Sequence, residues 1–124
     1  MPEKNPSINI LRHIAIIIDG NRRWAKRHFL PTLEGHRRGY NKIIDVIRWC
    51  IENNVQVLTV YVFSSENWNR TREEVDYLMN LLRMALQDKK DEFNKQGVQV
   101  KIIGQKERFA DDIQLLISHI EQKT

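Results

Sequence analysis

The chain alternates between short apolar runs and longer amphipathic segments. Residues 14–18 are five consecutive apolar residues, too few for a buried helix and rich enough in isoleucine to favour a buried parallel strand over 13–18. Similar β-branched runs predict a second strand over 57–62 and a third over 98–103, which Gly104 would terminate. These three runs therefore predict a sheet.

Apolar residues at helical spacing fill the intervals between these strands. A short helix is expected from about 22 to 28, a loop through Pro31, and a longer helix beginning near Gly35. Thr71, with glutamate three residues later, predicts a capping box that opens a helix running to about Lys95, and a last amphipathic helix follows. The predicted buried stripes contain Tyr40, Ile43, Ile44, Ile47 and Ile51; Val75, Leu78, Met79, Leu82 and Leu86; and Phe109, Ile113, Leu116, Ile117 and Ile120.

The resulting order is β-α-β-α-β-α, which predicts an α/β fold with a parallel sheet and helices on its faces. We expect a single domain over 1–124, with residues 1–11 as a loose arm. In a parallel sheet the loops after the first two strands emerge at the same carboxyl edge, where such sheets bind ligands. Segments 19–23 and 64–70 are those two loops, and they are rich in polar residues.

The first of these segments has the composition of a phosphate site. Asp19, Gly20 and Asn21 form a turn, and Gly20 can adopt the positive φ that brings backbone close to a ligand. Arg22 and Arg23 follow at the start of a predicted helix, where free N–H groups and the helix dipole favour anions. A carboxylate suits Mg²⁺ and arginines bind phosphate oxygens, so the segment predicts a diphosphate held with magnesium.

The charge distribution agrees with an anionic ligand. The net charge is +4, and residues 22–38 hold six cations against one acid, Glu34. Such a cluster attracts diphosphates, nucleic acid or an acidic membrane surface. A solvated helix face explains four of these cations at least as well, namely Lys26, Arg27, Arg37 and Arg38. Sixteen acidic residues and the lack of a nucleic-acid-binding motif argue against a nucleic-acid partner.

Two further features concern location. The longest apolar run has five residues, so we expect no transmembrane segment, and the N-terminus lacks the apolar stretch of a signal peptide. Cys50 is the only cysteine and lies in a helical pattern, which predicts a small buried hydrophobe in a reducing, cytoplasmic environment.

Three motifs resemble one known family. His13 to Lys26 closely resembles the H-x-A-x-I-x-D-G-N-x-R-W-A signature of the cis-prenyltransferases, the undecaprenyl diphosphate synthase family. Phe63 to Arg70 is similar to the family's F-S-S/T-E-N-W-x-R segment, and Gly35-His36-Arg37-Arg38-Gly39 to its G-H-x-x-G. The motifs stand in the family's order, and the match as a whole covers most of 12–104, so the resemblance is specific.

The resemblance implies roles for individual residues. Asp19 would be the catalytic and metal-binding carboxylate, and Asn67 would orient a proton relay that ends at a phosphate oxygen or at Asp19. Thr32 stands where family members often carry arginine, so one phosphate contact would be weaker or come from another basic residue. The implied substrate-binding residues are Gly20, Asn21, Arg22, Arg23, Trp24, His36, Ser64, Ser65, Glu66, Trp68 and Arg70.

The resemblance also implies a function. It predicts a Mg²⁺-dependent isoprenyl transferase that condenses isopentenyl diphosphate with an allylic diphosphate, such as farnesyl diphosphate, into a cis-polyprenyl diphosphate such as undecaprenyl diphosphate. The product would partition into the membrane, and the full-length family implies a homodimer. The location would be cytoplasmic, with peripheral membrane association as an alternative.

The chain lacks part of the family pattern. The N-Y-G-G-R segment, the R-x-R-x-S segment that binds isopentenyl diphosphate and a second metal-binding glutamate do not occur in its 124 residues. The resemblance therefore concerns the amino-terminal part of the family's domain. The alternative function is a truncated, non-catalytic homologue or accessory subunit that binds an allylic diphosphate.

Overall fold

The computed structural model describes residues 11–124. The chain divides after Arg70 into two compact units. The arm predicted over 1–11 lies outside the described residues apart from Leu11, and the single domain over 1–124 stays a prediction. The elements are β1 (His13–Ile17), α1 (Asn21–Arg27), α2 (Thr32–Glu52), β2 (Val57–Tyr61), a 3-10 helix (Ser65–Asn69), α3 (Arg72–Asp88), α4 (Lys90–Lys95), a second 3-10 helix (Lys106–Arg108) and α5 (Asp111–Lys123).

The first unit contains a parallel pair of strands, as predicted. The register pairs Ile14 with Leu58 and Ile17 with Tyr61. Parallel strands need a crossover connection, and α1 and α2 supply it between β1 and β2. Because Ile17 and Tyr61 pair at the strand ends, the chain leaves both strands at the same edge. The α/β class and the common edge of the two polar segments are thus confirmed.

The two faces of this sheet differ in exposure. Ile14 and Ile16 are part-buried, whereas Ile17 on the other face is 75% exposed and Tyr61 beside it is 56% exposed. The prediction of a fully buried first strand is therefore wrong. An apolar run of this kind is typical of strands covered on both faces, and burying the open face would require further polypeptide against it.

In the stripe predicted for α2, Ile44 is buried and the other four residues are part-buried; Cys50, outside that stripe, is also buried. It starts earlier than expected, at Thr32, directly after Pro31. It ends where Asn54 takes a left-handed φ of 57° and the Val55 N–H donates to the Cys50 carbonyl oxygen at 2.9 Å. Burial raises the pKa of the Cys50 thiol, consistent with its prediction as a small buried hydrophobe.

The second unit is helical. Thr71 caps α3, because the Glu74 N–H donates to Thr71 Oγ1 at 3.3 Å, which confirms the hydroxyl half of the predicted capping box. Arg83 of α3 donates to Asp112 of α5 through Nε at 2.6 Å. The buried apolar side chains of this unit are Met79, Leu81, Leu86, Phe93, Ile113, Ile117 and Ile120.

The predicted third strand, 98–103, does not form. Its exposure alternates as in a strand, but its backbone donors bond to side chains near the end of the chain. The Val100 N–H donates to Thr124 Oγ1, and the Ile102 N–H donates to Glu121 Oε2, both at 2.9 Å. A strand requires a ladder partner, and within the described residues these donors are satisfied without one.

The predicted long helix to Lys95 is divided in two. Lys89 departs from helical geometry, with φ −103° and ψ −9°, and α4 continues after it. Neither glycine nor proline lies near this position, so the sequence carries no signal for the break. Across residues 11–124, no helix combines the length and apolar character needed to cross a bilayer.

Candidate functional site

The turn after β1 is built as the sequence predicts. Gly20 has φ 85°, a left-handed conformation, and its carbonyl oxygen accepts from the Trp24 N–H at 2.8 Å, which starts α1. Arg23 Nη2 donates to Asp19 Oδ2 at 3.2 Å, with both side chains more than 70% exposed. An exposed ion pair contributes little stability, so a ligand can replace either partner at low cost.

Two glycines of α2 hold the turn in place. A Cβ added to Gly35 would overlap the carbonyl oxygen of Asn21, and one added to Gly39 would lie within 2.8 Å of the Asn21 Cγ and Oδ1. A larger residue at Gly35 would require α1 and α2 to move apart, and one at Gly39 would require the Asn21 side chain to move. The two glycines of the G-H-x-x-G motif therefore admit Asn21 and fix the orientation of its side chain.

An open groove of about 610 Å³ lies at the end of β1, between α1 and α2. The turn and α1 contribute Asp19, Asn21 and Trp24 to its lining, and Ile16, Ile17 and Ile18 are apolar lining residues. The polar and charged lining residues from α2 are Arg37, Arg38, Asn41, Lys42 and Asp45. The groove thus combines two carboxylates, two amides and three cations beside an apolar strand end.

Aromatic and ionic contacts fix the basic side of the groove. The Arg38 guanidinium lies 5.0 Å from the centroid of the Trp24 ring, which also stacks on His28 at 4.2 Å. Trp24 therefore both packs and lines the groove. Glu34 accepts from Arg37 and from Arg38, and these hydrogen bonds, Arg37 first, lower the pKa of the Glu34 carboxyl.

The other predicted residues near the turn lie outside the groove lining. His36 is 6% exposed, buried within α2 between the groove residues Gly35 and Arg37. Gly20, Arg22 and Arg23 are neighbours of the lining residues, and none of the three lines the groove.

The second polar segment forms a capped 3-10 helix after β2. The Ser64 N–H donates to Asn67 Oδ1 at 2.8 Å, so the Asn67 amide oxygen is engaged in capping. Trp68 packs edge-on against Phe63, with 4.8 Å between ring centroids. Of the described groove-lining residues, none comes from 64–70, so the structure brings this segment to the same sheet edge but not into the groove.

Sequence reasoning left the α2 cations undecided between function and solvation. Arg38 and Lys42 are four residues apart and share a helix face with Gly35. That face is the one on which Gly35 and Gly39 meet Asn21. A helical wheel of α2 shows that Arg38 and Lys42 lie on the same face as the two glycines, and this face lines the groove.

The groove suits a phosphate ligand with a divalent cation. Residues 11–124 contain no group of three or more histidine, cysteine, aspartate or glutamate side chains able to hold a metal alone. Asp19 can still supply one carboxylate ligand, and Mg²⁺ commonly takes its remaining ligands from water and substrate phosphates. Fold and site together define an α/β protein with a basic groove at the carboxyl edge of a parallel sheet, the edge where such sheets bind ligands.

Comparison with known proteins gives the family. The Prenyltransf family model, which describes undecaprenyl diphosphate synthases, matches residues 17–124. The chain is 43% identical over 113 residues to an isoprenyl transferase of Chromobacterium violaceum, covering 91% of this chain and 45% of the relative. It is 40% identical to the ditrans,polycis-undecaprenyl-diphosphate synthase of Pseudomonas aeruginosa, named as specific for (2E,6E)-farnesyl diphosphate, covering 100% of this chain and 49% of the relative.

A solved structure supports the same conclusion. Lavandulyl diphosphate synthase from Lavandula x intermedia, in complex with dimethylallyl diphosphate, matches with a TM-score of 0.85 and 35% identity over 90% of this chain and 48% of that chain. This chain belongs to the undecaprenyl diphosphate synthase family of prenyltransferases. It spans about half the length of the curated relatives it matches.

Proposed function

We propose that the groove binds an allylic diphosphate, such as farnesyl diphosphate, for transfer to isopentenyl diphosphate, giving a cis-polyprenyl diphosphate such as undecaprenyl diphosphate. The observation that carries the proposal is the groove itself, where Asp19 and Asn21 face the cations of α2. Two relatives support the allylic diphosphate, one named as farnesyl-diphosphate specific and one solved with dimethylallyl diphosphate.

The residues of the turn would hold the diphosphate together with Mg²⁺. Asp19 would ligate the metal, which supplies charge stabilisation to the departing diphosphate. Arg23, now paired with Asp19 at 3.2 Å, would turn to the phosphate oxygens, because its exposed ion pair is easily exchanged. Asn21, held by Gly39, would donate its amide N–H groups to the same oxygens.

The proposed step breaks one bond to diphosphate and forms one carbon–carbon bond. The double bond of isopentenyl diphosphate attacks the first carbon of the allylic chain, and the diphosphate leaves with the electron pair of the C–O bond. A proton then leaves the isopentenyl unit, and a cis double bond forms. Fixed donors around the departing diphosphate would supply much of the rate enhancement.

The capped segment after β2 would border the second substrate. Ser64, Ser65 and Glu66, with Trp68 and Arg70, would shape this part of the pocket. Asn67 would take part through its amide nitrogen, since its Oδ1 already accepts from the Ser64 N–H. His36 would act from its buried position beside the groove residues of α2. These roles, together with a cytoplasmic location, peripheral membrane association and a homodimer, belong to the proposal.

The second candidate function is that of a diphosphate-binding homologue or accessory subunit, which would keep the groove and lack turnover. The 124 residues contain no Arg-x-Arg-x-Ser sequence, the segment that the family resemblance assigns to isopentenyl diphosphate. The two functions differ in product formation and agree in ligand binding.

One assay separates these functions. The chain is incubated with Mg²⁺, farnesyl diphosphate and labelled isopentenyl diphosphate, and binding of farnesyl diphosphate is measured in parallel. Labelled polyprenyl product that disappears in Asp19→Ala, with unchanged circular dichroism, supports the transferase. Binding without product selects the binding homologue, and product formation unaffected by Asp19→Ala overturns the role of this carboxylate.

A further inference from the structure

One cation of the groove contacts both an aromatic ring and a carboxylate. Arg38 lies one residue before Gly39, the position where α2 meets the Asn21 side chain. It lines the same groove as Asp19. An arginine in this place faces whatever ligand the turn binds.

Two contacts hold the Arg38 guanidinium. Its Cζ lies 5.0 Å from the Trp24 ring centroid, and its Nε donates to Glu34 Oε1 at 3.2 Å. The side chain is nonetheless 54% exposed, so solvent and ligands can reach it. Because the bond to Glu34 uses Nε, the Nη atoms carry the donors that remain for a ligand, and their planar arrangement matches two phosphate oxygens.

The neighbouring cations are less suited to this role. Arg37 also lines the groove, but both its Nε and its Nη2 donate to Glu34, a bidentate pairing with a carboxylate. Lys42 lies one helical turn beyond Arg38 and offers a point charge on a flexible stem. Arg38 therefore lines the groove, is oriented by Trp24 and Glu34, and has Nη donors that can bind the oxygens of an anion.

We infer that Arg38, oriented by Trp24 and Glu34, is a phosphate-binding residue for the diphosphate ligand of the groove. This inference rests on the proposed function, since it names a further residue for the same ligand. Thr32 begins α2 at the position where family members often carry an arginine, and a threonine cannot provide a guanidinium. Arg38 would supply that contact from the next turns of the same helix.

The test compares charge-matched variants. Dissociation constants for farnesyl diphosphate with Mg²⁺, and for inorganic pyrophosphate with Mg²⁺, are measured by calorimetry for the wild type, Arg38→Gln, Arg38→Lys and Arg27→Gln. Arg27 is an exposed cation of α1 outside the groove lining, so Arg27→Gln removes the same charge without the contact. Circular dichroism and urea unfolding establish that each variant is folded.

The inference predicts that Arg38→Gln weakens binding of both ligands at least about tenfold, as expected for a lost charge-assisted hydrogen bond. The affinity of Arg38→Lys should lie between those of the wild type and Arg38→Gln, and Arg27→Gln should change the affinity less than about twofold. Equal effects of Arg38→Gln and Arg27→Gln would overturn the inference while leaving the proposed function intact. A wild-type chain that binds neither ligand would overturn both.

Discussion

At the scale of single residues, the contact between Asn21 and α2 organises the site. Gly35 lies against the Asn21 backbone and Gly39 lies against the Asn21 side chain, so the two glycines contact different parts of one residue. All three residues belong to the family motifs, but the motifs do not show that the two glycines pack against Asn21. The structure supplies the reason: two helices approach at glycines, and the approach orients an amide toward the groove.

This contact predicts the behaviour of a pair of alanine variants. Gly39→Ala should lower the free energy of unfolding by about 1–3 kcal/mol, because its Cβ would displace the Asn21 amide. Removing that amide with Asn21→Ala should relieve the overlap, so the double variant should recover most of the loss. The measurement is urea unfolding of the single and double variants as a double-mutant cycle.

Gly35→Ala is the matched control. Its Cβ would meet the Asn21 carbonyl oxygen, which Asn21→Ala leaves in place. We therefore expect no recovery when Gly35→Ala is combined with Asn21→Ala. Equal recovery of both glycine variants would show that the helices simply separate, and that the proposed orientation of the Asn21 side chain is wrong.

At the scale of elements, the sequence predicts best where periodicity is local. The stripes of α2, α3 and α5 and the run of β1 are properties of consecutive residues. Each identifies an element that the structure contains, although α2 starts earlier and the helix predicted to Lys95 is divided. Segment 98–103 has the same β-branched composition, but a strand also needs a distant partner strand, and the side chains of Glu121 and Thr124 accept from two of its backbone N–H groups. Composition could not reveal that competition.

The same limit applies to the candidate site. The turn at Asp19 and Gly20 was predictable, because a strand, a glycine and a helix start follow one another in sequence. The sequence alone does not distinguish cations that line the groove from cations that face solvent, because their positions depend on how α2 packs on α1. The break at Lys89 has no sequence signal of any kind among the residues around it.

A titratable link between elements predicts pH-dependent stability. Arg83 of α3 hydrogen-bonds Asp112 of α5, and this bond lowers the pKa of the Asp112 carboxyl from its ordinary value. A carboxyl with a depressed folded-state pKa stabilises the fold above its unfolded pKa, and loses that contribution as pH falls through the folded value. Asp112→Asn should therefore reduce stability at pH 7, and the reduction should shrink below about pH 4.

Asp111→Asn is the control for this prediction. Asp111 and Asp112 both lie in the first turn of α5, so both substitutions remove one favourable charge from the helix N-terminus. Of these two aspartates, Asp112 accepts from Arg83 in the described interactions and Asp111 does not. Thermal unfolding across pH 3 to 8 should show a larger pH-dependent loss for Asp112→Asn, and identical profiles would refute a specific contribution of the Arg83 bond.

At the scale of the whole molecule, the candidate site belongs to the first of the two compact units. The turn, α1 and α2 that form the groove all precede Arg70, where the chain divides. The cations of residues 22–38 are concentrated in this unit, which gives an otherwise modest net charge of +4 a local basic surface. Ligand binding should therefore change the exchange or dynamics of residues before Arg70 and leave the second unit unchanged.

The family resemblance assigns the second diphosphate to an R-x-R-x-S segment, which does not occur in these 124 residues. The chain spans about half the length of its curated relatives, and one face of the β1–β2 sheet is open, with Ile17 75% exposed. The proposed binding of an allylic diphosphate would use the turn and α2, whereas the proposed transfer would also require a site for the second diphosphate. Binding is therefore the central claim for these residues, and it can be measured without turnover.

The most direct measurement is hydrogen–deuterium exchange of the chain with and without farnesyl diphosphate and Mg²⁺. The account predicts slower exchange in peptides that cover 19–24 and 35–42, and unchanged exchange in α5, which lies in the other unit. Asp19→Ala should abolish the protection. Protection confined to residues beyond Arg70, or none at saturating ligand, would contradict the assignment of the groove as the diphosphate site.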